Sequence, residues 1–351
     1  MPPAKTIRPL KFYQAIPKVE LHRHLEGSLR LSTLINIGRT HGLDIKSTDY
    51  LRPMVQVLDG EPNTFENFLS KFSTLREFYR SPEVISRITS EAIEDAALDN
   101  VRYMELRFTP VALGRAEEFP LGEVMDWVIA AAQEGQAKYG VITRLIASVN
   151  RHESVALAEE VIRLSVDRVD KGIVGVDLAG SEANFSAAPF VGVFKDAQQA
   201  GLQLTIHAGE WGGPANVRQA IQAFNTGRIG HGVRIMEDPQ VVDLARERGT
   251  IFETCVTSNY QSGVVPVLKQ HPFPAMLTSG LNATLNTDDP SISQITLSYE
   301  YQQVCEELSV PLSRIAGRVL ASARAAFLPE NERQALLASL AKELKKYAPK
   351  E

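Results

Sequence analysis

Eight short apolar runs recur along this chain, and most of them lead into a stretch of helical patterning. They are Val19–Leu25, Val101–Phe108, Thr143–Val149, Gly172–Leu178, Leu202–His207, Arg228–Gly232, Ile251–Cys255 and Ala283–Asn286. Several are nearly continuous in apolar residues, as strands covered on both faces are. Between them, Ser154–Val169 places Leu157, Ala158, Val161, Ile162, Leu164 and Ser165 on one side, at roughly the 3.6-residue period of a helix. Ala215–Phe224 and Asp238–Arg248 read the same way, with Pro239 suited to a first helical turn. Eight such alternations predict an α/β fold, a (β/α)8 TIM barrel, rather than an open sheet.

Two segments exceed the minimal barrel. Residues from about 28 to 100 read as mainly helical, with Phe65, Phe68, Phe72, Leu75 and Phe78 patterned within Thr64–Arg80. A helical insertion after the first strand is expected to lie over the top of the barrel as a lid. The stretch from about 311 to 351, rich in Ala, Leu, Lys and Glu, predicts C-terminal helices packed outside. No linker, repeat or low-complexity segment divides the sequence, so residues 1–351 read as a single barrel domain.

Charge and cysteine usage exclude several classes of function. The formal net charge of −5 argues against a nucleic-acid surface or an attraction to anionic membranes. Cys255 and Cys305 are the only cysteines, which is too few for a disulfide framework or a thiolate zinc site. No apolar leader is visible in Met1–Leu10, and no apolar run is long enough to span a bilayer. The expected location is the cytoplasm.

Chemistry concentrates at the C-terminal ends of the expected strands, the face where barrels of this class build active sites. His22 and His24 stand two apart in Val19–Gly27. On a strand that spacing aims both imidazoles at one point, with Arg23 turned away, and makes a metal-binding half-site. Later strand ends read Asp177-Leu178-Ala179-Gly180-Ser181-Glu182, His207-Ala208-Gly209-Glu210, Arg228-Ile229-Gly230-His231-Gly232 and Asn286-Thr287-Asp288-Asp289-Pro290. A lone histidine at a strand end is more often structural, and paired aspartates before a proline are usually a turn. Their joint occurrence on successive strand ends is what points to a site. His41, His152 and His271 do not share that context.

Taken together, Val19–Gly27, His207–Glu210, Arg228–Gly232, Ser258–Asn259 and Asn286–Pro290 resemble the adenosine/AMP deaminase family, most closely its adenosine deaminases, in order and approximate spacing from about residue 10 to 330. The resemblance implies a barrel holding one Zn2+ through His22, His24, His207 and Asp288. It implies that His231 orients a water and acts as a base, and that a protonated Glu210 gives its proton to purine N1. Asp289 would meet N7 and the Gly180 backbone N3. The implied reaction converts adenosine, and 2′-deoxyadenosine, to inosine or its deoxy form and ammonia in purine salvage. The partner is a small purine nucleoside.

Several positions bear on the substrate. Related adenine deaminases tend to carry Asp where Gly230 stands, and a different sequence at Leu178-Ala179-Gly180; both places resemble the nucleoside-specific branch. Glu26 would help hold the ribose 5′ end, with Asp177 sharing the role, and His24 would meet the substrate as well as the ion. Many members have Asp at Glu26, which is one methylene shorter, so aminodeoxyfutalosine or another 5′-modified adenosine is the alternative substrate. Trp211 either packs on the surface or narrows the pocket mouth. Phe65, Phe68 and Phe72 are expected mainly in the core, as are Cys255 and Met104. No Lys lies in Asp177–Glu182 to bridge a second metal, which favours one ion. A non-catalytic nucleoside-binding protein on the same fold is the remaining reading, and it would be free to lose Glu210.

Overall fold

A computed structural model describes residues 7–347. Most of the N-terminal stretch Met1–Leu10 and the last residues of the expected C-terminal helical segment lie outside the described residues. Eight strands form one parallel sheet in strict chain order: β1 Lys18–His24, β2 Val101–Phe108, β3 Ile142–Asn150, β4 Ile173–Ala179, β5 Gln203–Ala208, β6 Arg228–His231, β7 Ile251–Thr254 and β8 Asn282–Leu285. The sheet curls until its edges meet. The His24 N–H donates to the Asp288 carbonyl (2.8 Å), the Asp288 N–H donates to the His22 carbonyl (3.0 Å), and Arg23 bridges to Asp288. This is the expected (β/α)8 barrel.

The strand boundaries differ from the sequence reading for local reasons. Gly172 sits at φ +112° and caps a short 3-10 turn, so β4 starts one residue later. β7 stops at Thr254 because Cys255 flanks a new helix, Val256–Gln261. That helix carries Ser258 and Asn259 inward at the barrel mouth.

Helix starts follow the chemistry of their first residues. Ser154, Thr64 and Ser81 each accept a backbone N–H from the residue three positions on, and Asp238 caps the helix that Pro239 opens. Each such cap is worth about 1 kcal/mol. Between β1 and β2 the chain forms helices Leu31–Thr40, Thr48–Val55, Phe65–Leu75 and Pro82–Leu98. Phe65–Leu75 presents Phe68, Leu69 and Phe72 to the mouth of the barrel. Leu312–Ala325 and Glu330–Leu344 pack against each other near the end of the described chain. Among the described residues no helix is long and apolar enough to cross a membrane.

Candidate active site

Inside the barrel, charge replaces the usual apolar filling. Arg107 and Arg228 are fully buried. Glu253 on β7 accepts from both, at 2.7 Å from Arg107 Nη2 and 2.6 Å from Arg228 Nε. Arg228 also pairs with Glu105 at 2.6 Å, and Arg107 with Asp177 at 3.3 Å. Buried ions persist only when paired and hydrogen-bonded.

Four side chains gather where a divalent cation could fit. His22, His24, His207 and Asp288 bring one ligand atom each within 4.8 Å of one another. His22 Nε2 is buried with no hydrogen-bond partner, although Asp288 Oδ1 stands 3.1 Å away. Two such atoms, close but misaligned, point at a common position rather than at each other. The opposite ring nitrogens are engaged: His22 Nδ1 meets Glu253 Oε2 at 2.9 Å, and His207 Nδ1 meets Asp177 Oδ1 at 3.0 Å. Carboxylates there fix the tautomer and leave Nε2 free to ligate. Ser258 Oγ donates to Asp288 Oδ2 at 2.7 Å. The donor set of three imidazoles and one carboxylate fits zinc. Gly230 keeps the space open, since a Cβ there would meet His22 Cε1 at 2.9 Å.

Above the ligands lies a cavity of about 290 Å³, lined by His24, Glu26, Gly180, Glu210, His231, Asp288 and Asp289 on its polar side and by Phe68, Leu69, Phe72 and Trp211 on its apolar side. A larger hollow of about 890 Å³ opens at the other end of the barrel, around Gly172, Arg228 and Ile251. None of the strand-end residues above lines it except Arg228, whose charge is already paired, so the smaller cavity is the one with chemistry.

Glu210 is held by its neighbours rather than by its own strand. The Glu182 carboxylate accepts the backbone N–H groups of Gly209, Glu210, Trp211 and Gly212 at 2.7–3.0 Å, and Asn216 Nδ2 at 2.8 Å. Burial pushes the Glu210 carboxyl well above the usual range, and the charges of Asp288 and Glu182 push the same way. Burial raises Asp289 well above its ordinary value too, assisted by Asp288, Glu26 and Glu210; its Oδ1 has no partner. Glu26 donates nothing and accepts the Thr109 N–H at 2.5 Å through Oε1, which leaves buried Oε2 without a partner. His231 Nε2 stands 3.7 Å from Glu210 Oε1 and 3.9 Å from Asp288 Oδ2. Gly180 turns at φ +86°, a conformation that glycine adopts without strain, and so brings its backbone to the cavity wall.

One expected contact moves elsewhere. Asp177 does not line the cavity; it is fully buried behind His207, bonded to His207 Nδ1 and to Ser148 Oγ at 3.2 Å, and paired with Arg107. In that position it can orient His207 and does not reach the cavity. Other residues were passed over. His152, set aside with His41, follows the end of β3 by two positions and lines the cavity beside Asn150. Glu253 and Glu182 left a readable trace, a charged residue inside or just beyond a buried strand, but their partners are far away in the chain. Trp211 packs edge-on against Phe65 with ring centroids 4.3 Å apart, at the cavity wall rather than on the surface. Phe68 is both core and lining.

Comparison with known proteins gives the same direction. The family model described as adenosine deaminase matches residues 17–343. An adenosine deaminase of Klebsiella pneumoniae (strain 342) is 36% identical over 331 residues, covering 93% of this chain and 98% of that protein. Among solved structures, an adenine deaminase from Arthrobacter aurescens superposes with a TM-score of 0.87 at 26% identity, covering 94% of this chain and 99% of that one. The N6-methyl-AMP deaminase of Arabidopsis thaliana superposes at 0.84 with 26% identity, over 95% and 98% of the two chains.

Proposed function

The chain belongs to the adenosine deaminase family, whose members are hydrolytic deaminases of adenosine-type substrates, and from that premise we propose that it converts adenosine and 2′-deoxyadenosine to inosine and 2′-deoxyinosine in purine salvage, with one Zn2+ held by His22, His24, His207 and Asp288. When bound, the ion supplies Lewis acidity and lowers the pKa of water toward neutrality.

The observation that carries the reading is the pair of buried carboxyls, Glu210 and Asp289, lining the same cavity as the ligand cluster, where burial pushes both toward the protonated form. Purine N1 and N7 are acceptors, and each needs a donor. Glu210 gives its proton to N1, which makes C6 electrophilic. Asp289 donates to N7 and the Gly180 backbone meets N3. His231 holds the attacking water at C6. Water adds, the C6–N bond breaks, and ammonia leaves. His24 and the unpartnered Glu26 Oε2 receive the ribose 5′-hydroxyl. Phe68, Leu69, Phe72 and Trp211 exclude bulk water from the site.

A second reading, a 5′-modified adenosine, has one observation in its favour. Arg76 lines the cavity with no carboxylate in salt-bridge range among the described residues, so an anionic 5′ substituent would find a partner there. Against it, Glu26 faces the same space. A panel of adenosine, 2′-deoxyadenosine, adenine, AMP and 5′-substituted adenosines, followed by loss of the adenine absorbance band, separates the two. Adenosine is expected to react fastest; inert adenosine with an active 5′-substituted analogue overturns the assignment. Metal analysis is expected to give one zinc per chain, and two would refute the mononuclear site.

A further inference from the structure

We propose that His271 and Asn259 fix the ring proton of His231 on Nε2, so that His231 meets the reacting oxygen as a hydrogen-bond donor and not as a base. The inference rests on the proposed deaminase reading for its chemistry, but its geometry does not depend on the substrate.

Three side chains form a chain whose direction is set at its far end. His271 Nδ1 lies 3.1 Å from the backbone nitrogen of Phe273. A backbone N–H only donates, so Nδ1 accepts and the His271 proton resides on Nε2. His271 Nε2 lies 3.3 Å from the Asn259 side-chain oxygen. An N–H facing an amide needs the amide oxygen, so the orientation of Asn259 follows from the first bond. Its Nδ2 then points at His231 Nδ1, 3.1 Å away. An amide NH2 only donates, so His231 Nδ1 accepts. Neutral imidazole carries one proton, and Nε2 must hold it.

Each link is closed to water. Asn259 is fully buried, and His231 and His271 are 1% and 3% exposed. Burial alone lowers His271 to about 3, so it stays neutral and its direction does not reverse in the working range. Reversal would leave two N–H groups facing each other in a dry site, with neither donor satisfied. The far nitrogen of His231 is compatible with the assignment: Nε2 faces Asp288 Oδ2, an acceptor, at 3.9 Å. His231 itself sits at φ +59°, a left-handed conformation costly for a side-chain-bearing residue, and this aims the ring into the chain.

Proton flow changes accordingly. Glu210 gives its proton to N1, and the carboxylate so formed takes one proton from the attacking water. The other water proton goes to the departing amine, which leaves as ammonia. His231 gains and loses nothing; its Nε2–H orients the water through an oxygen lone pair and then stabilises the oxygen as charge builds on it. His271 and Asn259 are positioning residues.

The test reads the ring directly. In zinc-loaded enzyme labelled with 15N-histidine, long-range 1H–15N correlation distinguishes the tautomers of the seven histidines. The expected wild-type pattern for His231 is protonated Nε2 and bare Nδ1; a protonated Nδ1 overturns the proposal. Asn259→Asp presents acceptors only. It should move the proton to Nδ1 and lower kcat about 100-fold, the low end of losing one donor to a developing oxyanion, with KM and zinc content nearly unchanged. His271→Gln keeps an N–H donor in place and should retain the Nε2–H tautomer and most of kcat. His271→Leu, which keeps bulk but no donor, should mix the tautomers and cost roughly tenfold in kcat. An unchanged His231 tautomer in Asn259→Asp, or equal losses in the Gln and Leu variants, refutes the relay. If adenosine were inert while His231 kept Nε2–H, the substrate reading would fail and this one would stand.

Discussion

Replacing Glu210 by glutamine tests the proposed chemistry most directly, because the structure separates its role in reaction from its role in the fold. The backbone of Glu210 is held by Glu182, and its side chain makes no ligand contact. The amide of Gln has nearly the same shape and no transferable proton. A positioned acid contributes about 10²–10⁴ in rate. A loss near 10³ in kcat corresponds to about 4 kcal/mol of transition-state stabilisation. KM and zinc content should hold. The pH behaviour has a definite sign. The folded-state pKa of Glu210 lies above its unfolded value, so the folded protein binds the extra proton in the window between them. Stability tied to that group is present below the unfolded pKa and is lost as pH rises through the folded one. The neutral amide escapes this loss. Glu210→Gln should therefore melt no lower than wild type, and its advantage should grow as pH rises from the ordinary carboxylate range. Wild-type kcat/KM should fall at the alkaline end as Glu210 ionises. Adenosine turnover by absorbance, calorimetric melting across pH and metal analysis make the measurement. A variant with kcat within about tenfold of wild type, a cost too small for a lost proton donor, would refute the assigned role.

Three further perturbations follow from the same geometry. Glu253→Gln removes the carboxylate that accepts from His22, Arg107 and Arg228; thermal unfolding should show about 3–5 kcal/mol of destabilisation and chelator competition about 10–100-fold weaker zinc binding. Gly230→Ala forces a methyl against His22 Cε1 at 2.9 Å and His207 Cγ at 3.3 Å, and should cost about 1–3 kcal/mol, read as weakened metal affinity with the helix content intact. Trp211→Ala opens the cavity wall beside Phe65 and should improve the relative kcat/KM of bulky nucleosides by about tenfold, the scale of a lost apolar contact; an unchanged substrate profile rules this out.

The barrel was legible because its strands are covered on both faces and so read as apolar runs, and because each run ends in polar residues where the chemistry gathers. The same reading points to His22, His24, His207, Glu210, His231, Asp288 and Asp289, at or just past strand ends, which the fold gathers at one end of the barrel. It misplaced Asp177, since alternation along β4 says which face a side chain takes but not that a ligand from β5 stands in front of it. It passed over Glu253, Glu182 and His271 because each acts through a partner on another element: Glu253 through His22, Glu182 through four loop amides, His271 through Asn259. Contacts of that kind are set by how strands and helices stack, and no local spacing encodes them. His152 is different. It is just past the end of β3, and a stricter use of strand ends would have included it.

The seam between β1 and β8 has a consequence for how the protein comes into being. His22 and His24 stand on the first strand and Asp288 just beyond the last, and the barrel closes on those same residues. A newly made chain therefore has no complete ligand set until β8 docks beside β1, so an ion can be captured in full only at the last step of closure. Once held, it fastens the two strands as a cross-link spanning nearly the whole barrel, the kind of long-loop closure that removes about 5 kcal/mol or so of freedom from an unfolded chain. On the proposed ligand set, acquisition of the ion would be a proofreading event: a chain truncated before β8 would retain the paired histidines but lack the carboxylate, and would have nothing to latch.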